Sequence, residues 1–242
     1  MASSFGGSVK LKGESEYTKA LKTITSNLTL MASEMKVVSS EYDKNDKSVQ
    51  AITSRNSVLE KEIEECRKKI NTYKTALEDF TLQQDESARG IMVMMTNLEQ
   101  EKKKLEEMKS STTATSKEIK DQEKKVAELS TELAGNEAQY DKNKLTLNKY
   151  KTELNNTQAQ MNTFSNELEE NKASLEENKD AFTKLNEKID SQKEKLNTLK
   201  NAYASAVLEQ GKSSSEAKGL KKEIKESQDL GRHQRRIKEK EL

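Results

Sequence analysis

His233 and Cys66 are the only histidine and the only cysteine in the chain, and they set a ceiling on the chemistry it can perform. A side-chain nucleophile needs a base within hydrogen-bond reach, and a structural zinc site needs about four nitrogen, sulfur or carboxylate ligands. His233 sits in the basic run Gly231-Arg232-His233-Gln234-Arg235-Arg236, and Cys66 falls on an apolar repeat far earlier in the chain. Gly211-Lys212-Ser213 has the ending of a phosphate-binding loop, but Ala206 stands where that motif needs its upstream glycine and no strand pattern precedes it. Asp and Glu total 42, yet carboxylates on a solvated helix face have no cavity to shift their pKa values. The chain therefore reads as a non-enzyme. No catalytic, cofactor-binding or metal-ligating residue is expected, and no cofactor or small-molecule substrate.

The elements that would position these residues follow from a period. From Leu21 to Gln210 every seventh residue is apolar at 24 of 28 positions, the exceptions being Asn56, Gln84, Thr112 and Gln210. A second beat three residues later, from Tyr17 to Ala206, is apolar at 17 of 28. These are the a and d positions of a heptad repeat, the signature of a coiled coil. Its core is expected from Leu21, Ile24, Leu28, Met31 and Met35, then Ile63, Cys66, Ile70, Tyr73, Leu77 and Phe80, then Leu168, Leu175, Phe182, Leu185, Ile189, Leu196 and Leu199. Cys66 is a small apolar core group at d, and in a parallel homodimer it would face its twin.

Composition agrees with a long helix. Proline is absent, tryptophan is absent, and 35% of residues are charged. Proline costs about 3 kcal/mol in a helix interior, so an uninterrupted helix must exclude it. Low hydrophobicity with high charge also marks disordered chains, but a disordered segment has no reason to hold one heptad phase. A net charge of +1 gives no general attraction to DNA or anionic lipid, and no nucleic-acid partner is expected. No run of about 18 apolar residues predicts a transmembrane segment, and no secretion signal is visible at Met1, which predicts a cytoplasmic, cytoskeletal location.

The expected fold is all-α: a long, nearly continuous coiled-coil rod with a short head and a basic tail. Residues 1–13, with three glycines, read as a flexible Gly/Ser head. Residues 14–210 read as the rod, and 211–242 as a weaker helical continuation ending in the basic tail. The seam weakens around 84–90 and across 101–122, and either stretch could hold a bend or the turn of a hairpin. Ile91, Met92, Val93 and Met95 exceed what one seam requires and mark a lateral contact. Arg232, Arg235, Arg236 and Lys238 are a candidate basic contact in the tail.

Two features point to other coiled-coil chains as partners, in a hetero-oligomer or higher-order bundle. Eleven d positions are polar, among them Asn45, Ser87, Glu101, Thr115, Gln122, Asn136, Asn143 and Asn178, and a buried Asn is satisfied only opposite another polar group. In a parallel homodimer, like charges would also meet, Lys104 with Lys109 and Glu118 with Glu123 among them. Proline-free and heptad-regular over about four-fifths of its length, the chain resembles the rods of cytoskeletal fibrous proteins such as tropomyosins and striated-fibre assemblins. It departs from tropomyosin in lacking core alanine clusters and an acidic balance, and in its glycine-containing head. The expected function is a strut or filament component of a large cytoskeletal or ciliary-type assembly; an elongated tether or adaptor linking partners bound at its two ends is the alternative.

Overall fold

In a computed structural model that describes residues 9–212 and 214–241, the chain is all-helical: α1 (Glu14–Glu41), α2 (Val49–Ser110), α3 (Ser116–Gln210) and α4 (Ser215–Glu241). The structure departs from a nearly continuous rod because the helix stops twice between residues 14 and 210, and the chain folds back at each stop. The stretch 84–90 runs unbroken through α2, whereas a turn does lie in the second weak stretch, at 111–115.

The first stop, 42–48, is made by short polar side chains that bond their own backbone and so compete with the helix. Asp46 N donates to the Asp43 carbonyl at 2.8 Å, and the Asp46 carboxylate accepts from Ser48 N at 2.8 Å. That backbone hydrogen bond, with the Ser48 hydroxyl, holds the Asp46 carboxyl below its ordinary pKa. Ser48 then caps α2, its hydroxyl accepting from Ala51 N at 3.3 Å. The Arg55 guanidinium reaches back from α2 and donates to the Asp46 and Asp43 carbonyls at 2.7 and 2.5 Å, fastening the loop to the helix.

The second stop, 111–115, reads Ser-Thr-Thr-Ala-Thr. Threonine loses side-chain freedom in a helix, and the hydroxyls offer the backbone other partners. The Ser111 hydroxyl accepts from Thr113 N at 3.2 Å, and Thr115 opens α3. At the far end Gly211, at φ +82°, ends α3 in a conformation that L side chains rarely adopt. The Ser214 hydroxyl caps α4 by accepting from Ala217 N at 3.1 Å. The segment expected as a weak continuation of the rod is thus a separate helix, which doubles back on α3.

The chain forms two compact units, and α1, α2 and α3 each contribute to both. Unit 1 comprises the described residues to Leu30 together with Ile63–Asn162. Contacts between α1 and α2 run in opposite chain order, Tyr17 with Asp79 and Asn27 with Glu65, as do those between α2 and α3, Tyr73 with Tyr150 and Glu101 with Gln122. It is an antiparallel three-helix bundle over this length. Leu11, Leu21, Tyr73, Ala76, Phe80 and Tyr150 form its core. Tyr17 meets Phe80 edge-on with ring centroids 5.5 Å apart, and Tyr73 meets Tyr150 in the same manner at 5.5 Å. The last residues of the expected flexible head are held against this bundle. Val9 and Leu11 are buried, Lys12 N donates to the Gln83 side chain at 2.6 Å, and the Asn143 amide donates to the Val9 carbonyl. The rest of that head, residues 1–8, lies outside the described residues.

Unit 2 comprises Met31–Glu62 with the chain from Thr163 onward. Its buried apolar residues include Ile52, Val58, Leu59, Leu168, Ile189 and Ala217. Lys61 pairs with Glu34 at 2.9 Å between the antiparallel ends of α1 and α2. Ser227 bonds Gln192 at 3.4 Å and Lys238 bonds Asn186 at 2.8 Å, which sets α4 antiparallel to α3.

Candidate functional site

Hairpin folding changes what the polar seam residues mean. Gln122, buried on α3, donates to the Glu101 carbonyl at 3.0 Å and its carboxylate at 2.7 Å, and Lys125 joins them at 2.6 Å. Asn136 donates to the Met94 sulfur at 3.1 Å, Gln84 to the Tyr140 carbonyl at 3.0 Å and Asn178 to the Lys47 carbonyl at 2.6 Å. Ser87 and Thr157 bond carbonyls of their own helix. Most polar d positions that called for a partner chain are therefore served from within. The charges follow the same logic. Lys109 and Glu123, each set against a like charge in the parallel arrangement, form an ion pair of 3.0 Å across the α2–α3 turn.

Of the expected core residues, Leu21, Ile24, Leu28, Ile63, Cys66, Ile70, Tyr73, Phe80, Leu168 and Ile189 are buried. Met31, Met35, Leu77, Leu175, Phe182, Leu185, Leu196 and Leu199 are half-buried. They close a core within one chain, and Cys66 faces the interior of unit 1 rather than a twin.

The outer face of α2 stands apart from this. Lys12 lies beside Gln83 and α1 begins at Glu14, so within unit 1 the rest of α2 pairs with α3 alone among the described helices. There Met92, Val93 and Met95 are 68%, 50% and 51% exposed, Ile91 is half-buried, and Met94 is buried against α3. The first three bring exposed large apolar side chains together within about one turn of the helix, and methionine surfaces adapt to varied partners. Asp85, Arg89, Glu99 and Lys103 flank them, all exposed and none in an ion pair among the described residues.

Unit 2 holds a cleft of 640 Å³ between the 42–48 loop and α3. Val49, Leu175 and Phe182 supply its apolar wall, and Lys47 and Lys179 its rim. The Lys238 ammonium lies 4.8 Å from the centre of the Phe182 ring. Of the basic tail residues, Lys238 is thus engaged inside unit 2, Arg232 lies 3.8 Å from Asp229, and Arg235 and Arg236 are exposed on α4. His233 is exposed on the same helix.

Titratable groups are perturbed in the bundle interior. Burial pushes the Glu62 carboxyl up to about 6, and the nearby Glu167 charge adds to the rise. Burial raises the Tyr73 hydroxyl to about 12, helped by Glu153. The Glu101 carboxyl is held low by the hydrogen bonds from Gln122 and Lys125. Among the described residues no three His, Cys, Asp or Glu side chains gather as metal ligands, and no helix is long and apolar enough to cross a membrane.

No protein-family model, curated protein or solved structure matches this chain. The second weak stretch, 101–122, does hold a turn, whereas the 42–48 turn falls where no weakness of the seam was expected, and both turns carry local signals. Thr115-x-x-Glu118 is a capping box, and Asp43-Lys44-Asn45-Asp46 followed by Ser48 combines turn formers with a helix cap.

Proposed function

We propose that this chain is a structural protein that acts by helix–helix association, a strut or filament component of a large cytoskeletal or ciliary-type assembly in the cytoplasm, and not an enzyme. The observation that carries the reading is the exposed outer face of α2 at Met92, Val93 and Met95. An apolar cluster on a helix that one neighbour accompanies has the form of a docking face for a further helix. The proline-free heptad sequence supports the same reading. In its own cells, an epitope-tagged chain is expected in the detergent- and salt-resistant filament fraction, and Met92→Asp is expected to release it. Complete recovery of the tagged chain in the soluble extract overturns the assembly role.

The unit 2 cleft favours a second reading, a tether or adaptor. An apolar wall rimmed by both signs of charge, Lys47 and Lys179 with Asp46 and Glu176, suits a peptide with an apolar anchor. Crosslinking with mass spectrometry separates the two. Partner crosslinks through Lys47 and Lys179 support the adaptor, whereas crosslinks through Lys102 and Lys103 on α2 support the structural role.

A further inference from the structure

The outer face of α2 carries a pattern that reads the same in both directions once charge sign is exchanged. Asp85, Arg89, Met92, Thr96, Glu99 and Lys103 follow one another at alternating steps of four and three residues, which places them on a single stripe of the helix. All six are exposed, and the stripe lies on the side opposite Met94 and Leu98, the residues that α2 buries in the bundle. We propose that two copies of this chain dock through this stripe, antiparallel, about a two-fold axis that crosses the stripe at the level of residue 94 along α2. The inference rests on the helix-association reading above and names the partner of that face as a second copy.

In this arrangement Asp85 of each copy meets Lys103 of the other, Arg89 meets Glu99, and Met92 meets Thr96. On the flanks Glu86 meets Lys102 and Val93 meets Met95. Each charge pair occurs twice because a two-fold contact is self-complementary. The methionines and valines form the centre and the opposite charges surround it, the division seen in ordinary interfaces.

The same charges reject the alternatives. A parallel in-register pair sets Asp85 against Asp85, Arg89 against Arg89 and Glu99 against Glu99. Sliding the antiparallel pair by one heptad step sets Arg89 against Met92 and Asp85 against Thr96 and leaves Glu78 with Lys103 as the charge pair on the stripe, while the opposite slip keeps Arg89 with Glu106; either way fewer opposite charges meet than in the register centred at residue 94. Direction is therefore set, and register favoured, by residues that form no ion pair among the described residues. The contact from Asp85 to Lys103 is about 27 Å long at 1.5 Å per residue, which places the association in the reversible class of small interfaces.

Sedimentation velocity of the full chain tests this. The wild type is expected to show a concentration-dependent monomer–dimer equilibrium that weakens as salt is raised. Arg89→Glu alone and Glu99→Arg alone are each expected to weaken it roughly tenfold or more, since each turns two attractions into repulsions. An equimolar mixture of the two single variants is expected to recover dimer, because positions 89 and 99 then again carry opposite charges where the two copies meet. The double variant R89E/E99R is expected to recover it for the same reason. All these positions are exposed, and unchanged circular dichroism confirms that the variants fold. Wild-type protein that stays monomeric, association that ignores both single variants, or a mixture that fails to recover dimer would each overturn the proposal. Retention in the filament fraction, measured separately in cells, decides the assembly role whichever way the pairing falls.

Discussion

Thr115 and Glu118 accept hydrogen bonds from each other's backbone, the Glu118 carboxylate from Thr115 N at 2.8 Å and the Thr115 hydroxyl from Glu118 N at 3.3 Å. This reciprocal pair starts α3 where the chain reverses, and it holds the Glu118 carboxyl below its ordinary pKa. Thr115→Ala is expected to cost about 1 kcal/mol of stability, with Thr115→Ser close to the wild type, measured by urea denaturation. Equal stability of the alanine variant would mean that the turn does not depend on this cap.

Phe80 is fully buried among Tyr17, Tyr73 and Tyr150, whereas Leu82, two residues on, is 65% exposed. The heptad bundle predicts unlike costs for similar truncations. Phe80→Ala is expected to lose about 3–5 kcal/mol and Leu82→Ala less than about 0.5 kcal/mol. Comparable losses at the two sites would mean that α2 presents a different face to the core.

Glu62 titrates at about 6 in the folded chain, against 4.5 for an unperturbed glutamate. The folded state therefore binds more protons than the unfolded state between these values, and stability falls as pH rises through them. Above pH 6 the buried carboxylate costs about 1–2 kcal/mol. Glu62→Gln is expected to recover that amount at pH 7.5 and nothing below pH 4.5, read as the difference between variant and wild-type unfolding curves at the two pH values. A gain that does not change with pH would place the Glu62 carboxyl in contact with water.

Cys66 is 0% exposed in the interior of unit 1. A thiol reagent is expected to label the native protein only as fast as the bundle opens, and to label it at once in denaturant. Mild oxidation is expected to leave no disulfide-linked dimer. A rapid crosslink through Cys66 would restore the parallel two-chain seam in place of the hairpin.

The helical class and the buried faces were legible from the heptad beat, because a side chain on the a or d stripe is buried whichever helix lies opposite. Leu21, Ile63, Phe80 and Ile189 are examples. The direction of the chain was not legible, since the beat carries no information about whether the opposing helix belongs to another molecule or to the same one. One turn lies in the weak stretch 101–122, but the heptad beat itself marks neither turn, for a more specific reason. The 42–48 loop is seven residues long, one full heptad, so Tyr42 and Val49 keep the phase across a break in the helix. The 111–115 turn likewise leaves Leu105 and Ile119 in step. The polar d residues that implied a partner chain are bonded mostly within this one. Gln122 and Glu101 supply each other because the turn between them brings α3 back along α2. The exposed cluster at Met92 was legible as surplus apolarity, but its surrounding charge symmetry needed the helix face to be known.

Each compact unit draws on two distant stretches of chain, residues to Leu30 with Ile63–Asn162 in one and Met31–Glu62 with the chain from Thr163 in the other. During synthesis, α1 and the first half of α2 leave the ribosome with no complete core available to either. Neither unit is complete until α3 has been made, because each draws on it. For the same reason neither unit exists as a single stretch of gene. A continuous segment such as Ile63–Asn162 carries most of one unit but lacks the stretch to Leu30 that completes it, so no single excised piece of the chain holds a whole unit without part of the other.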